Sequence, residues 1–218
     1  MKYINIHTHL PLLDNEDVIS VVDVSSSATI STPYCSYGVH PWFLTEKNAE
    51  SQLCQLEILL KINAITAIGE VGFDAVRGAK MDLQQRIFDA IISLSEYYQK
   101  PLIIHCVKAY DRILSLHKKR NIEQTWIVHG FKGSCELALQ LISRNIMLSF
   151  GCKLLKDDII QSVLEKIPTN SIFLETDDAD VNIVDIYKIA ATIRKIDIET
   201  LRGILYESFI RVFSTVKP

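Results

Sequence analysis

The chain has 218 residues, 48% of them hydrophobic, which is material for a sizeable core and excludes a disordered class. A formal net charge of −3 with a pI near 6.1 excludes a broad basic surface that would coat nucleic acid by neutralising phosphates, so any hold on an anion must be local. Five widely spaced cysteines without a C-x-x-C pair indicate neither a disulfide framework nor a zinc ribbon.

The reading in chain order alternates short β-branched runs with longer amphipathic stretches, the pattern of parallel strands joined by helices. Tyr3 to Ile6 opens the series and ends in His7-Thr8-His9, two histidines one residue apart that share a strand face because side chains alternate with a period of two. Strands are expected next at Ile19 to Val24 and Cys35 to Val39, separated by the brief Ser/Thr/Pro-marked stretches Pro11 to Asp17 and Ser25 to Pro33, too short for full crossover helices. A helix follows over Thr45 to Ile62, with Thr45 and Glu46 suited to its N-terminus. Further strands are expected at Ala64 to Gly69, Leu102 to Ile104, Trp126 to Val128, Ile146 to Phe150 and Ser171 to Leu174. Helices between and after them cover Leu83 to Gln99, Ala109 to Arg120, Ser134 to Arg144, Asp157 to Ile167, and Ile183 to Val216, the last as two helices around Asp197.

Eight strands with intervening helices and a trimmed first third predict an α/β protein, a (β/α)₈ TIM barrel with a reduced N-terminal third. The alternative is a three-layer open sheet. With no linker, repeat or low-complexity segment, residues 1–218 read as a single domain. No basic-then-apolar leader opens the chain and no run approaches the roughly 20 apolar residues of a membrane span, so a cytoplasmic protein without a membrane partner is expected. No obligate protein partner is evident.

Barrel enzymes build their sites at the C-terminal ends of the strands. There the sequence places His7 and His9, His40, Glu70, His105, His129 and Glu175-Thr176-Asp177, which accounts for five of the six histidines after His40 is set beside its run. Imidazole and carboxylate together are ligands for zinc, manganese and similar divalent ions. A carboxylate with two oxygens can bridge two ions, and Glu70, in Ala67-Ile68-Gly69-Glu70-Val71-Gly72, stands in mid-series. His117 is expected on a solvated helix surface, and Cys106 and Cys152 as buried apolar thiols.

These segments resemble the TatD family of metal-dependent deoxyribonuclease-like hydrolases, of which the chain would be a short member. The resemblance rests on Ile6-His7-Thr8-His9-Leu10, Gly38-Val39-His40-Pro41, Ala67-Ile68-Gly69-Glu70-Val71-Gly72-Phe73-Asp74, Pro101-Leu102-Ile103-Ile104-His105, Val128-His129-Gly130-Phe131, Leu148-Ser149-Phe150-Gly151 and Phe173-Leu174-Glu175-Thr176-Asp177, in family order. It implies a barrel of the metallo-dependent hydrolase type with two divalent ions, zinc, magnesium or manganese. His7, His9, Glu70 and Asp177 would hold one ion and Glu70, His105 and His129 the other, with Glu70 the bridge. Asp177 would also orient the attacking water and accept its proton, and His40 would lie near the substrate phosphate. Two such ions lower the pKa of a shared water from 15.7 towards about 7, giving a bridging hydroxide for attack on a phosphodiester.

The expected activity is therefore phosphoester hydrolysis, as a 3′–5′ deoxyribonuclease on short or single-stranded DNA ends. The alternatives are amidohydrolase-type cleavage of a C–N bond or ester, and a metal-bound barrel without catalysis. The first usually has a carboxylated lysine where this chain has Glu70. Departures from the family concern the substrate walls: Asp178-Ala179-Asp180-Val181-Asn182 has no proline and adds two carboxylates that repel a phosphate backbone, and Gly130 and Lys132 replace a cysteine and a serine. Lys108, Lys132 and Lys153 begin loops after strands five, six and seven, as phosphate ligands or as ordinary surface lysines. Trp42 can stack on a base or pack in the core or at the rim.

Overall fold

A computed structural model of the protein describes residues 1–10, 16–26, 32–120 and 122–213. Parts of the expected Pro11 to Asp17 and Ser25 to Pro33 connections, and the end of the last helix, lie outside them. The strands are β1 (Tyr3–Thr8), β2 (Val18–Asp23), β3 (Cys35–Tyr37), β4 (Ala67–Asp74), β5 (Leu102–Val107), β6 (Trp126–Val128), β7 (Met147–Phe150) and β8 (Ile172–Leu174). The helices are α1 (Ala49–Lys61), α2 (Met81–Tyr98), α3 (Tyr110–Arg120), α4 (Cys135–Ile142), α5 (Asp158–Lys166), α6 (Ile183–Arg194) and α7 (Ile198–Phe213). The strands follow one another in the sheet as they do in the chain, and β1–β2, β3–β4, β4–β5 and β7–β8 pair in parallel. Beyond β8 the chain meets β1: Asp177 N–H donates to the His7 carbonyl at 3.1 Å and His9 N–H to the Asp177 carbonyl at 3.0 Å. Parallel strands in chain order with the last joined to the first are the topology of a (β/α)₈ barrel.

The helices begin where local chemistry supplies caps. Asp157 accepts from the N–H groups of Ile159 and Ile160 at 3.0 and 3.2 Å, Asn182 from Val184 at 2.9 Å and Ser134 from Leu137 at 3.3 Å. α1 starts four residues after the expected Thr45, because Thr45 and Asn48 close a turn of their own: Thr45 N–H donates to Asn48 Oδ1 at 2.7 Å. The last helical stretch does divide, at Lys195, whose left-handed φ of 56° ends α6.

The contacts group the chain into two compact units, Met1–Val22 with Val128–Lys217, and Asp23–Ile127. The first unit contains β1, β7, β8 and α4 to α7, and its core includes Ile4, Ile6, Phe150, Phe173, Tyr187 and Phe209. In the second, holding β3 to β5 and α1 to α3, Phe73, Phe88 and Trp126 stack edge to face with centroids 5.0 and 5.5 Å apart. His117 also belongs here: its ring stands edge-on to Trp126 at 5.0 Å, so it packs on the core instead of being simply solvated as expected.

The main departure in strand bounds is β4. It runs through Glu70 to Asp74 and is buried along its whole length, so Glu70 sits inside the strand and Asp74 ends it. The alternation of Val71 and Phe73 continues the strand past the carboxylate. Two glycines permit this. A Cβ on Gly69 would stand 2.6 Å from Ile103 Cβ, and Gly72, at φ +133°, would place one 2.3 Å from the His105 carbonyl oxygen.

Candidate functional site

In the first unit, β1 carries His7 into the interior and leaves His9 just beyond its end, about one-third exposed, facing the turn after β8. Nε2 of His7 and Nε2 of His9 each lie 3.6 Å from Oδ1 of Asp177. The His7 ring is 4.9 Å from that of His9 and 4.7 Å from that of His129. His7, His129 and Asp177 each offer a ligand atom within 4.8 Å of the others. Asp177 itself holds a positive φ of 55° between its backbone bonds to β1, which fixes the direction of its carboxylate.

A divalent ion tests this geometry directly. Ligands about 2.1 Å from a tetrahedral zinc stand roughly 3.4 Å apart. A nitrogen and an oxygen 3.6 Å apart are too distant for a hydrogen bond and correctly spaced to share an ion. Neutral imidazoles with a carboxylate suit zinc, manganese and similar ions, so the residues fit such a group.

Behind His129 lies Glu175, fully buried, with Oε1 at 3.7 Å from His129 Nδ1 and Oε2 accepting a short hydrogen bond from the Ser149 hydroxyl. Burial pushes the Glu175 carboxyl up, but His129, His7 and Ser149 outweigh it and hold the group below the usual carboxylate range. A cavity of about 120 Å³ opens beside this group, lined by Lys132, Lys153, Asp177 and Asp178 among others. Lys132 and Lys153 are exposed at its edge. A larger hollow of about 570 Å³, lined by Asp89, Arg112 and Arg120, contains none of the expected site residues.

The second unit brings together His40, Glu70 and His105, again within 4.8 Å. Here the spacings are those of hydrogen bonds: Oε1 of Glu70 is 2.6 Å from His105 Nδ1 and 3.1 Å from His40 Nε2. The Glu70 backbone N–H donates to Asp23 Oδ2 at 2.9 Å. On the other side of the His105 ring, Nε2 lies 3.1 Å from Asp74 Oδ2, which also accepts from the Trp42 indole at 2.6 Å. Burial raises the Asp74 pKa, but the donors Trp42, Val76, His105 and Arg77 overcome it and bring the carboxyl to about 2.

Trp42 is 37% exposed, with the Arg77 guanidinium 3.9 Å above its ring. It is thus held at the rim by a hydrogen bond rather than packed in a core. Lys108 is exposed at the end of β5. Cys106 is buried, which pushes its thiol up to about 12, whereas Cys152 is exposed on the 3₁₀ turn after β7, against expectation, because that turn lies on the surface. Asp178 and Asp180 are exposed.

The family resemblance implies His129 beside Glu70 and His105; the structure brings it within reach of His7 and Asp177, and sets His40 beside Glu70. Asp23, Asp74, Ser149 and Glu175 carry no role expected from the sequence. The signal for two of them was periodicity: Asp74 follows Glu70 by two strand repeats and Glu175 precedes Asp177 by one.

The family described as TatD related DNase matches residues 8–214. The "Uncharacterized metal-dependent hydrolase YjjV" of Escherichia coli is 29% identical over 153 residues, covering 68% of this chain and 59% of that protein. Its crystal structure aligns with a TM-score of 0.82 at 21% identity, over 97% of this chain and 98% of that one, which shows the barrel fold. The "Putative deoxyribonuclease TATDN1 homolog" of Enterocytozoon bieneusi is 30% identical over 179 residues, 77% of this chain and 64% of the relative. The "3'-5' ssDNA/RNA exonuclease TatD" of Edwardsiella piscicida is 27% identical over 155 residues, 66% of this chain and 57% of the relative. The matched stretches thus span about six tenths of these three relatives' lengths. With the family match running over nearly all of the sequence, the chain belongs to the TatD related DNase family.

Proposed function

We propose that the protein hydrolyses phosphoester bonds with the aid of divalent metal, as a 3′–5′ exonuclease on short or single-stranded DNA ends. The observation that carries this reading is the pair of 3.6 Å spacings from His7 and His9 to Asp177, in a chain matched by the TatD related DNase family over residues 8–214. The name of the Edwardsiella relative supports the polarity. The proposed ligands are His7, His9, Glu70, His105, His129 and Asp177, with Glu70 shared between two ions of zinc, magnesium or manganese.

Bound divalent ions supply a nucleophile at neutral pH and neutralise charge on phosphoryl oxygens. The chain's own residues do the rest. Asp177, anchored by its backbone to β1, orients the attacking water and accepts its proton at a carboxylate oxygen. Lys132 and Lys153, at the edge of the cavity beside Asp177, hold phosphate oxygens. Lys108 and His40 contribute further contacts to phosphate, and the partly exposed Trp42 face stacks on a terminal base. A single hydrolase domain over 1–218 is part of the reading, supported by one family match spanning both compact units. So is a cytoplasmic setting, supported by five free thiols; among the described residues no helix is long and apolar enough to cross a membrane.

The test is incubation of the purified protein with a 5′-labelled single-stranded oligonucleotide and added magnesium, manganese or zinc. Stepwise shortening from the 3′ end is expected, and its loss in Glu70→Ala and Asp177→Ala. Failure to cleave either the oligonucleotide or a synthetic phosphodiester sinks the substrate assignment, and turnover of an amide or carboxylic ester instead favours amidohydrolase chemistry. Undiminished activity in both variants removes the catalytic role of these residues.

A further inference from the structure

We propose that Asp74 is the positioning residue of His105: it accepts the hydrogen of Nε2 and so keeps Nδ1, the nitrogen on the Glu70 side, for the metal to be held there. The inference rests on the metal reading above and adds to it a residue that touches no ion.

Glu70, Gly72 and Asp74 share one face of β4, because alternate residues of a strand point the same way. Gly72 leaves that face bare at its middle, where the His105 carbonyl approaches. The imidazole is therefore flanked by two carboxylates of one strand, Nδ1 at 2.6 Å from Glu70 and Nε2 at 3.1 Å from Asp74. Each ring nitrogen thus faces a carboxylate, which can only accept; an ion held at Nδ1 and Glu70 would take the lone pair of that nitrogen, and the ring hydrogen would then lie on Nε2, in the bond to Asp74.

Asp74 is held more firmly than a side chain that merely ends a strand. Only 4% exposed, it accepts from Val76 N–H and Arg77 N–H at Oδ1, both at 2.8 Å, and from the Trp42 indole at Oδ2. Its backbone is clamped by Gln84, which accepts from Asp74 N–H at 2.9 Å and donates to the Asp74 carbonyl at 3.0 Å. With Oδ1 occupied by two backbone donors, Oδ2 has a fixed direction, toward His105 and Trp42. The carboxylate thereby joins a ligand histidine to the aromatic rim: the Trp42 ring stands edge-on to His105 with centroids 5.5 Å apart.

Asp74→Asn conserves shape but presents an NH₂ group to two donors if its oxygen stays with the backbone N–H groups. The ring measurement is long-range ¹H–¹⁵N correlation of the histidines, assigned with His105→Asn, on metal-free and zinc-loaded protein. In wild type Nε2 of His105 should carry the hydrogen; in Asp74→Asn it should lose it, and calorimetric zinc affinity should fall by about 10–100-fold. Trp42→Phe, which removes only the indole donor, should leave the Nε2 hydrogen in place. An unprotonated Nε2 in wild type overturns the proposal even if no variant folds. So does a ring proton and zinc affinity unaltered in Asp74→Asn, or one displaced by Trp42→Phe alone. A wild type that takes up no zinc, magnesium or manganese overturns instead the metal reading, while the metal-free ring measurement still judges Asp74.

Discussion

Asp177 and His7 are joined twice: the Asp177 N–H donates to the His7 carbonyl at 3.1 Å, and the two side chains face each other with Oδ1 and Nε2 3.6 Å apart. The backbone bond thereby sets the spacing of the two side chains at one that suits two ligands of a single ion. A ligand that binds the native state alone stabilises it by mass action, by about 2.7 kcal/mol at 100 times its dissociation constant. Zinc or manganese added to metal-stripped protein should therefore raise the melting temperature in a concentration-dependent way. Asp177→Asn should blunt that rise, as read by differential scanning calorimetry with and without a chelator.

Tyr187 holds the other end of β1. Its hydroxyl accepts from Ile4 N–H at 3.0 Å and donates to the Ile4 carbonyl at 3.2 Å, serving both polar groups of one buried residue. Tyr187→Phe strands the Ile4 N–H and should cost about 1–3 kcal/mol in urea unfolding at neutral pH. Burial raises the phenol's pKa above its ordinary 10.0, against the smaller effect of the Ile4 bond. The folded state thus keeps the proton where the unfolded chain loses it. The stabilisation is complete below about pH 10 and is lost as pH rises from there through the folded value. Wild type should lose stability steeply in that alkaline range, and the variant, lacking the group, less steeply.

Gly72→Ala should be among the most damaging single-methyl additions in β4. At φ +133° any side chain is strained, and the new Cβ would meet the His105 carbonyl oxygen at 2.3 Å. A loss well above about 1 kcal/mol is expected in thermal unfolding. Because the strained contact is with the backbone of a proposed ligand, zinc affinity should fall in the fraction that still folds. A variant as stable as wild type would contradict the close approach of β4 to β5.

Ser149 and Glu175 offer a comparable test behind His129. The Ser149 hydroxyl donates to a carboxylate buried to 1% exposure, and a hydrogen bond to a charged group is worth about 1.5–3 kcal/mol. Ser149→Ala should lower stability by that order and weaken metal binding by displacing Glu175 from His129. Ser149→Thr, which keeps the hydroxyl, should recover much of the metal affinity. Equal unfolding midpoints for Ser149→Ala and wild type would show that the bond contributes nothing net.

Much of the fold is legible in the chain itself because its causes are local. Period-two runs such as Ile4 to Ile6 and period-3.6 stretches such as Leu83 to Ser95 encode strand and helix through side-chain direction alone, and Asp157, Asn182 and Ser134 announce helix starts through hydrogen bonds reaching two or three residues. The candidate ligands too are readable as types: His7, His9, Glu70, His105, His129 and Asp177 stand in or beside strands, where a barrel gathers its site. What each one faces is another matter. That His129 meets His7 and Asp177, that Glu70 takes both His40 and His105, and that Asp74 and Glu175 stand behind the histidines are relations between residues 30 to 122 positions apart or set by the exact end of a strand. Composition and spacing determined which residues could bind metal and on which elements they lie, since these depend on the chemistry of one residue and its neighbours. Only the tertiary structure decided their partners, because a contact of a few ångströms depends on how whole strands register and on where glycines such as Gly69 and Gly72 let them close together.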